Sequence, residues 1–173
     1  MQEVKRYILK IKGHKRTTPL VSPPPLDVIL TWFGAFLGIT AIALFAHQYV
    51  VPVVASFGAS AVLIYGVPDA PLSQPRNVIF GHTLSAVAGV ATFMMFGLTW
   101  WSPGLGTALA LVVMLLTKTT HPPGGATALF AVLSKAQPSY ILTPILSGAV
   151  ILVIIGLLVN NLSPNRQYPR YWY

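Results

Sequence analysis

The chain has 173 residues, 54% hydrophobic and 8% charged, with no cysteine and a formal net charge of +8. Soluble domains carry about 25% charged residues, so this composition excludes an ordinary soluble globule and indicates a polytopic integral membrane protein, while the lack of cysteine excludes a disulfide framework or a thiolate metal site. Nucleic acid is not expected as a partner, because six of the eleven basic residues crowd into the first sixteen positions, the pattern of a basic tail retained on the cytoplasmic side of a first membrane helix.

Residues 1–25 read as that tail, with membrane lipid as its partner, ending in the stiff run Pro23-Pro24-Pro25. No short apolar stretch with a small-residue cleavage site precedes the first span, so no cleavable signal peptide is expected. The simplest location is a bacterial inner membrane, crossed several times, with both termini cytoplasmic. Asp27 stands where a helix N-cap is expected. A first long apolar segment covers about 28–46, enough to span a hydrocarbon core; Gly34 and Gly38 give it a small face for close helix packing. The stretch 50–65 is shorter. Pro52 divides it, so 50–57 reads as extended and Gly58 to Tyr65 as a half-helix.

A third segment, about 77–98, is long enough to span and carries small or polar residues every four positions at Asn77, Gly81, Ser85 and Gly89. Trp100-Trp101-Ser102-Pro103 marks an interfacial turn. A fourth segment runs from Gly104 to Thr117. Then comes Lys118 and the run Thr119-Thr120-His121-Pro122-Pro123-Gly124-Gly125, whose two prolines break the helix at membrane depth before a short helix of about 125–134. The last span is about 141–159, and residues 161–173 form an aromatic and basic tail.

Phe57-Gly58-Ala59-Ser60-Ala61-Val62-Leu63 aligns with Gly124-Gly125-Ala126-Thr127-Ala128-Leu129-Phe130 at an offset of 67. The expected fold is therefore an all-α membrane protein with a two-fold internal repeat of helix, broken half-helix segment, helix. The repeats cover about 28–98 and 104–159 within a transmembrane domain of residues 26–160, giving four long spans and two broken segments. The broken segments either cross, giving six crossings and inverted halves, or dip and return, giving four spans and parallel halves. Crossing is preferred on reach, since about six extended and ten helical residues cover the bilayer core.

Paired interrupted segments in corresponding halves point to a transporter site. A helix N-terminus presents unpaired N–H groups and about half a positive charge, which favours anions. The expected donors are the Gly124, Gly125 and Ala126 amides with the Thr127 hydroxyl in one half, and Gly58, Ala59 and Ser60 with the Ser56 and Ser60 hydroxyls in the other. The alternative is a tight crossing of small residues. His121 either donates to an anion, relays a proton or ties down the broken backbone. Lys118 attracts anions or snorkels to the interface. Arg76 and Asn77 open the third segment at an entrance or an anchor, and His82 lies two turns inside it, where polar groups are expensive.

The stretches Phe57 to Leu63, Gln74-Pro75-Arg76-Asn77 with Gly81-His82 and Ser85-Ala86, and Thr120 to Ala128 resemble the HPP family of small integral membrane proteins over about residues 28–160. Many relatives carry alanine where Gly124 stands, a change that keeps the site small. Members are usually described with four spans, which weighs against six crossings. The resemblance implies nitrite transport, as assigned to chloroplast and cyanobacterial relatives. The substrate-binding candidates are thus Ser56, Gly58, Ser60, Arg76, Asn77, His82, Lys118, His121, Gly124, Gly125 and Thr127, with neither cofactor nor metal expected. A passive anion channel and a non-transporting scaffold or sensor are the alternatives. An enzyme is not expected, since the only acidic residues are Glu3, Asp27 and Asp69, all outside the long spans. So small a chain has little surface to enclose a pathway, which suggests a homo-oligomer packed through Gly34/Gly38 or Gly81/Ser85.

Overall fold

The computed structural model describes residues 22–49 and 54–172. The basic tail before residue 22 and Pro52 lie outside the described residues. Within them the protein is all-helical: α1 (Pro25–Tyr49), α2 (Ser56–Ala61, continued by a π turn Val62–Gly66), α3 (Pro75–Phe96), α4 (Ser102–Leu116), α5 (Pro123–Leu133) and α6 (Ser147–Asn160, entered through a π-type segment Ile141–Leu146). Proline opens α3, α4 and α5 at the first positions, where its missing N–H costs nothing. α3 stops at Gly97, whose φ of +67° suits glycine. Thr143, just before Pro144, leaves helical geometry and kinks the entry to α6.

Among the described residues three helices are long and apolar enough to cross a membrane: Pro25–Gln48, Pro75–Phe96 and Ile141–Asn160. The expected fourth, α4, has 15 residues, about 22 Å of helix against about 30 Å of hydrocarbon. Asp27 is not an N-cap. Helix α1 begins two residues earlier, and Asp27 sits buried in its first turn. There it accepts from Ser163 Oγ at 2.6 Å and faces Arg166 at 3.5 Å. Arg166 also donates to the Tyr65 and Asp27 carbonyls and to Thr31 Oγ1, at 2.8–3.0 Å. This buried knot fastens the start of α1, the end of α2 and the chain after α6 at one end of the bundle. At the same end Tyr168 donates its phenol to the Ser73 carbonyl, and burial pushes that phenol's pKa up. Nearby, Asp69 accepts from Arg170 at 2.6 Å.

Glycines set the closest helix approaches. The Gly34/Gly38 face is filled by the Tyr65 ring, which a Cβ on Gly34 would meet at 2.7 Å. The Gly81/Ser85 face is filled by the chain around His121 and Gly124. Both faces suggested for oligomer contacts are therefore used inside the chain, because each lies opposite a broken segment of the same molecule. Gly124 meets Gly81 and Ser85, and Ala128 meets Gly89, so α5 runs parallel to α3. Phe57 meets Gly148 and Ile64 meets Gly156, so α2 runs parallel to α6. Helix α4 runs antiparallel to α3, with Thr117 bonded to Arg76 at one end and Gly106 against Thr92 at the other.

Candidate functional site

The break before α5 is held rather than loose. Pro122 and Pro123 remove two donors, and His121 before them lies outside regular secondary structure. Carbonyls at the end of α4 and within the break find side-chain partners: Thr117 accepts from Arg76 Nη2 and Thr120 from Asn77 Nδ2, each at 2.9 Å. A Cβ on Gly81 would lie 2.6 Å from His121 Cβ, so only glycine lets α3 approach this segment. Arg76 and the buried Asn77 thus stitch the break to α3. Lys118 is exposed at the C′ position of α4 in left-handed geometry. The Lys118 and Thr119 amides return to the Leu115 and Met114 carbonyls, closing a Schellman turn.

Below the break five side chains converge from four elements: Ser56 and Ser60 of α2, His82 of α3, His121 of the break and Thr127 of α5. Ser56 is 3% exposed and the others 0%. Ser56 Oγ lies 2.9 Å from Thr127 Oγ1, which lies 2.8 Å from His82 Nδ1. His82 Nε2 lies 2.7 Å from Ser60 Oγ, which lies 2.8 Å from His121 Nε2. His121 Nδ1 lies 2.8 Å from the Leu72 carbonyl. The two imidazole centroids are 4.9 Å apart, and the Phe57 ring covers His82 at 5.3 Å.

Hydrogen-bond valence orders these protons. A carbonyl only accepts, so His121 Nδ1 carries a proton and, in the neutral ring, Nε2 accepts from Ser60. Ser60 has then spent its only proton and accepts from His82 Nε2. His82 Nδ1 in turn accepts from Thr127, and Thr127 from Ser56. The result is a one-way file, Ser56 to Thr127 to His82 to Ser60 to His121 to Leu72, satisfied with both rings neutral. Such complete satisfaction is what a polar cluster needs in an apolar interior.

The half-helix N-termini meet here side by side. Their leading amides are engaged locally: Gly124 donates to His121, Gly125 to Pro122, Phe57 to Val54 and Gly58 to Ala55, at 2.8–3.0 Å. Gly58 is exposed, with open space where a Cβ would stand, and Gly125 faces only Thr107 at 3.8 Å. Neither these glycines nor Lys118 are brought to the cluster. Gly124 packs beside it, where a Cβ would lie 2.7 Å from Ser85 Oγ. Among the described residues, Ser85 Oγ alone is a buried side-chain polar atom without a partner. Sequence reading missed its position, although it lies one turn beyond His82 on the same face. It also missed Tyr140, which donates to the Thr127 carbonyl at 3.3 Å. Among the described residues no three His, Asp or Glu side chains gather as a metal site needs.

No solved structure matches the chain. Two curated proteins of Dictyostelium discoideum, each named only as a transmembrane protein, are 37% and 38% identical to it over 98% and 97% of its length. The chain spans 66% and 58% of those two relatives. The profile described as "HPP, transmembrane region" matches residues 21–169, and the chain therefore belongs to the HPP family of transmembrane proteins.

Proposed function

We propose that the protein carries a small inorganic anion across a membrane, and that nitrite, the ion implied by the family resemblance, is its substrate. One observation carries this reading: five buried hydroxyl and imidazole groups converge where two interrupted helices meet, inside an otherwise apolar bundle. Polar groups at that depth are expensive and mark pathways more often than packing. Neutral donors suit transport because they hold an anion weakly enough to release it.

The helix directions support six crossings in an inverted repeat. Successive helices run in opposite directions, so residues 27, 65–73, 117 and 160–170 share one end of the bundle, with 99–102 and 135 at the other. Contacts support the repeat as well. Phe57 on Gly148 and Ile64 on Gly156 correspond, at the offset of 67, to Gly124 on Gly81 and Ala131 on Gly89. Each half-helix thus lies parallel to the last helix of the opposite repeat, on the same pair of glycines. Two inverted halves around a midplane site are the arrangement from which alternating access is built.

The closed bonding of the cluster favours a second reading, a structural pin in a non-transporting scaffold. Flux separates the two. Thr127→Val keeps the side-chain shape and leaves His82 Nδ1 and Ser56 without their partner. In proteoliposomes it should lower nitrite uptake roughly tenfold or more, as should His121→Ala, while Thr127→Ser retains uptake. Parental uptake in both Thr127→Val and His121→Ala, at equal reconstitution, removes the site.

A further inference from the structure

The cluster has a spare acceptor, and it sits where an added proton would need it. Ser60 Oγ stands 3.1 Å from the Ser56 carbonyl, an acceptor the neutral file does not use. A proton added to His121 Nε2 turns that nitrogen from acceptor into donor. Ser60 Oγ then accepts from both imidazoles and turns its own proton to the Ser56 carbonyl. Every other bond in the file stays as it was. The site therefore accommodates one extra proton by rotating one hydroxyl, and no buried donor or acceptor is orphaned in either state. A second proton, on His82 Nδ1, is opposed by the first across 4.9 Å between ring centroids in an apolar interior.

Among the described residues the added charge has no resident counter-ion. From α2 the pair is faced by Ser56, Phe57 and Ser60, from α5 by Thr127, and from the segment before α6 by Tyr140 through the Thr127 carbonyl. Arg76 is turned outward to Thr117. Among the described residues the carboxylates are Asp27 and Asp69, and each is paired elsewhere, with Arg166 and Arg170. A lone imidazolium buried without an opposite charge is costly, and so is a lone anion in the same place. Each removes the other's penalty.

Building on the transport reading above, we infer that the His82–Ser60–His121 unit takes up a single proton together with the transported anion, so that the site loads as an electrically neutral pair. The proton arrives from solvent, resides on imidazole nitrogen while the anion is bound, and leaves with it. Nothing is oxidised or reduced.

Proton uptake by purified protein in weakly buffered detergent solution, titrated with nitrite against protein-free micelles, tests this. A single proton per nitrite bound is expected at neutral pH. His121→Gln and Ser60→Ala should lose that uptake, while His47→Ala, on the exposed end of α1, keeps it. In proteoliposomes a pH gradient, acid outside, should drive labelled nitrite inward, and a potassium–valinomycin potential at equal pH should not. Nitrite bound or transported without proton uptake, or flux driven by potential alone, overturns the inference and leaves the transport reading standing. Neither binding nor flux of nitrite overturns both.

Discussion

Gly89→Ala should be among the most damaging single-methyl additions to this protein. A Cβ at Gly89 would stand 2.5 Å from the Ala128 carbonyl oxygen and 2.8 Å from both Ala128 Cα and Ala131 Cβ. Two of these atoms are backbone and the third is a Cβ, so no side-chain rotation relieves the clash. Helices α3 and α5 must part by close to an ångström over their shared face, which also holds His82 against Thr127. Overpacking a tight core typically costs about 1–3 kcal/mol, and fixed obstructing atoms put this case near 3. For a chain of this size that is a fall of about 6–12 °C in Tm. Gly58→Ala is the matched control. Its Cβ would meet nothing within 4 Å, and replacing an exposed helical glycine should raise stability by about 0.5–1 kcal/mol. Detergent-solubilised protein heated in steps and read by fluorescence-detected size exclusion measures both. The reasoning fails if Gly89→Ala melts within a degree of the parent, or if Gly58→Ala falls as far.

The remaining predictions concern helix ends and topology. Lys118 and Lys135 both hold φ of 56°, so glycine at either should gain up to about 1 kcal/mol by removing left-handed strain, seen as a Tm rise in the same assay; a fall would deny that these Schellman turns are strained. Asp27→Ala leaves the buried Arg166 guanidinium without its carboxylate, and about 3–5 kcal/mol of stability should be lost, most of it recovered by the double variant with Arg166→Met. The chain has no cysteine, so Lys118→Cys and Lys135→Cys can each be labelled with an impermeant maleimide. Six crossings require labelling from opposite sides of oriented vesicles, and same-side labelling would sink that topology.

Much of this was readable from residue spacing, and the failures have physical causes. The break at Pro122 and Pro123 and the small face of α3 follow from local rules about donors and glycine. Ser56 and Ser60, one turn apart, lie on the inner face of α2, and they, His82, His121 and Thr127 do converge. What spacing could not settle is which way a neighbour faces. Gly58 and Gly125 occupy the right turns but the wrong side, because Phe57 and Gly124 are the residues that pack inward. The leading amides were expected to be free, yet the first turn of each half-helix tightens and spends them on carbonyls three residues back. Arg76 and Asn77 answer carbonyls at and before the break, a need visible only once that segment lies along α3. The Gly34/Gly38 face showed that something packs close there, and only the fold shows that it is the Tyr65 ring.

The contrast between scaffold and cluster bears on the proposed cycle. At the offset of 67, Ser60 answers to Thr127, and the glycine pair of α3 answers to that of α6. The histidines have no such counterpart: His82 corresponds to Ala149 and His121 to Val54. In the proposed inverted repeat, a near-symmetric frame would give two states that differ little in packing, since each half could adopt the arrangement of the other. Identical halves would bind a ligand alike from either side and leave direction to concentration alone. Placing both imidazoles in one layer, against α2 and beside Leu72, makes the hydrogen-bond file point one way and puts the ring proton of His121 at the end that holds residues 65–73. In the proposed scheme the frame supplies the alternation, and the asymmetric pair ties occupancy of the site to a proton. Each half then supplies one imidazole at a position where the other has an apolar residue, Ala149 opposite His82 and Val54 opposite His121, and symmetry in the packing glycines with asymmetry in the imidazoles is a pattern that packing alone does not require.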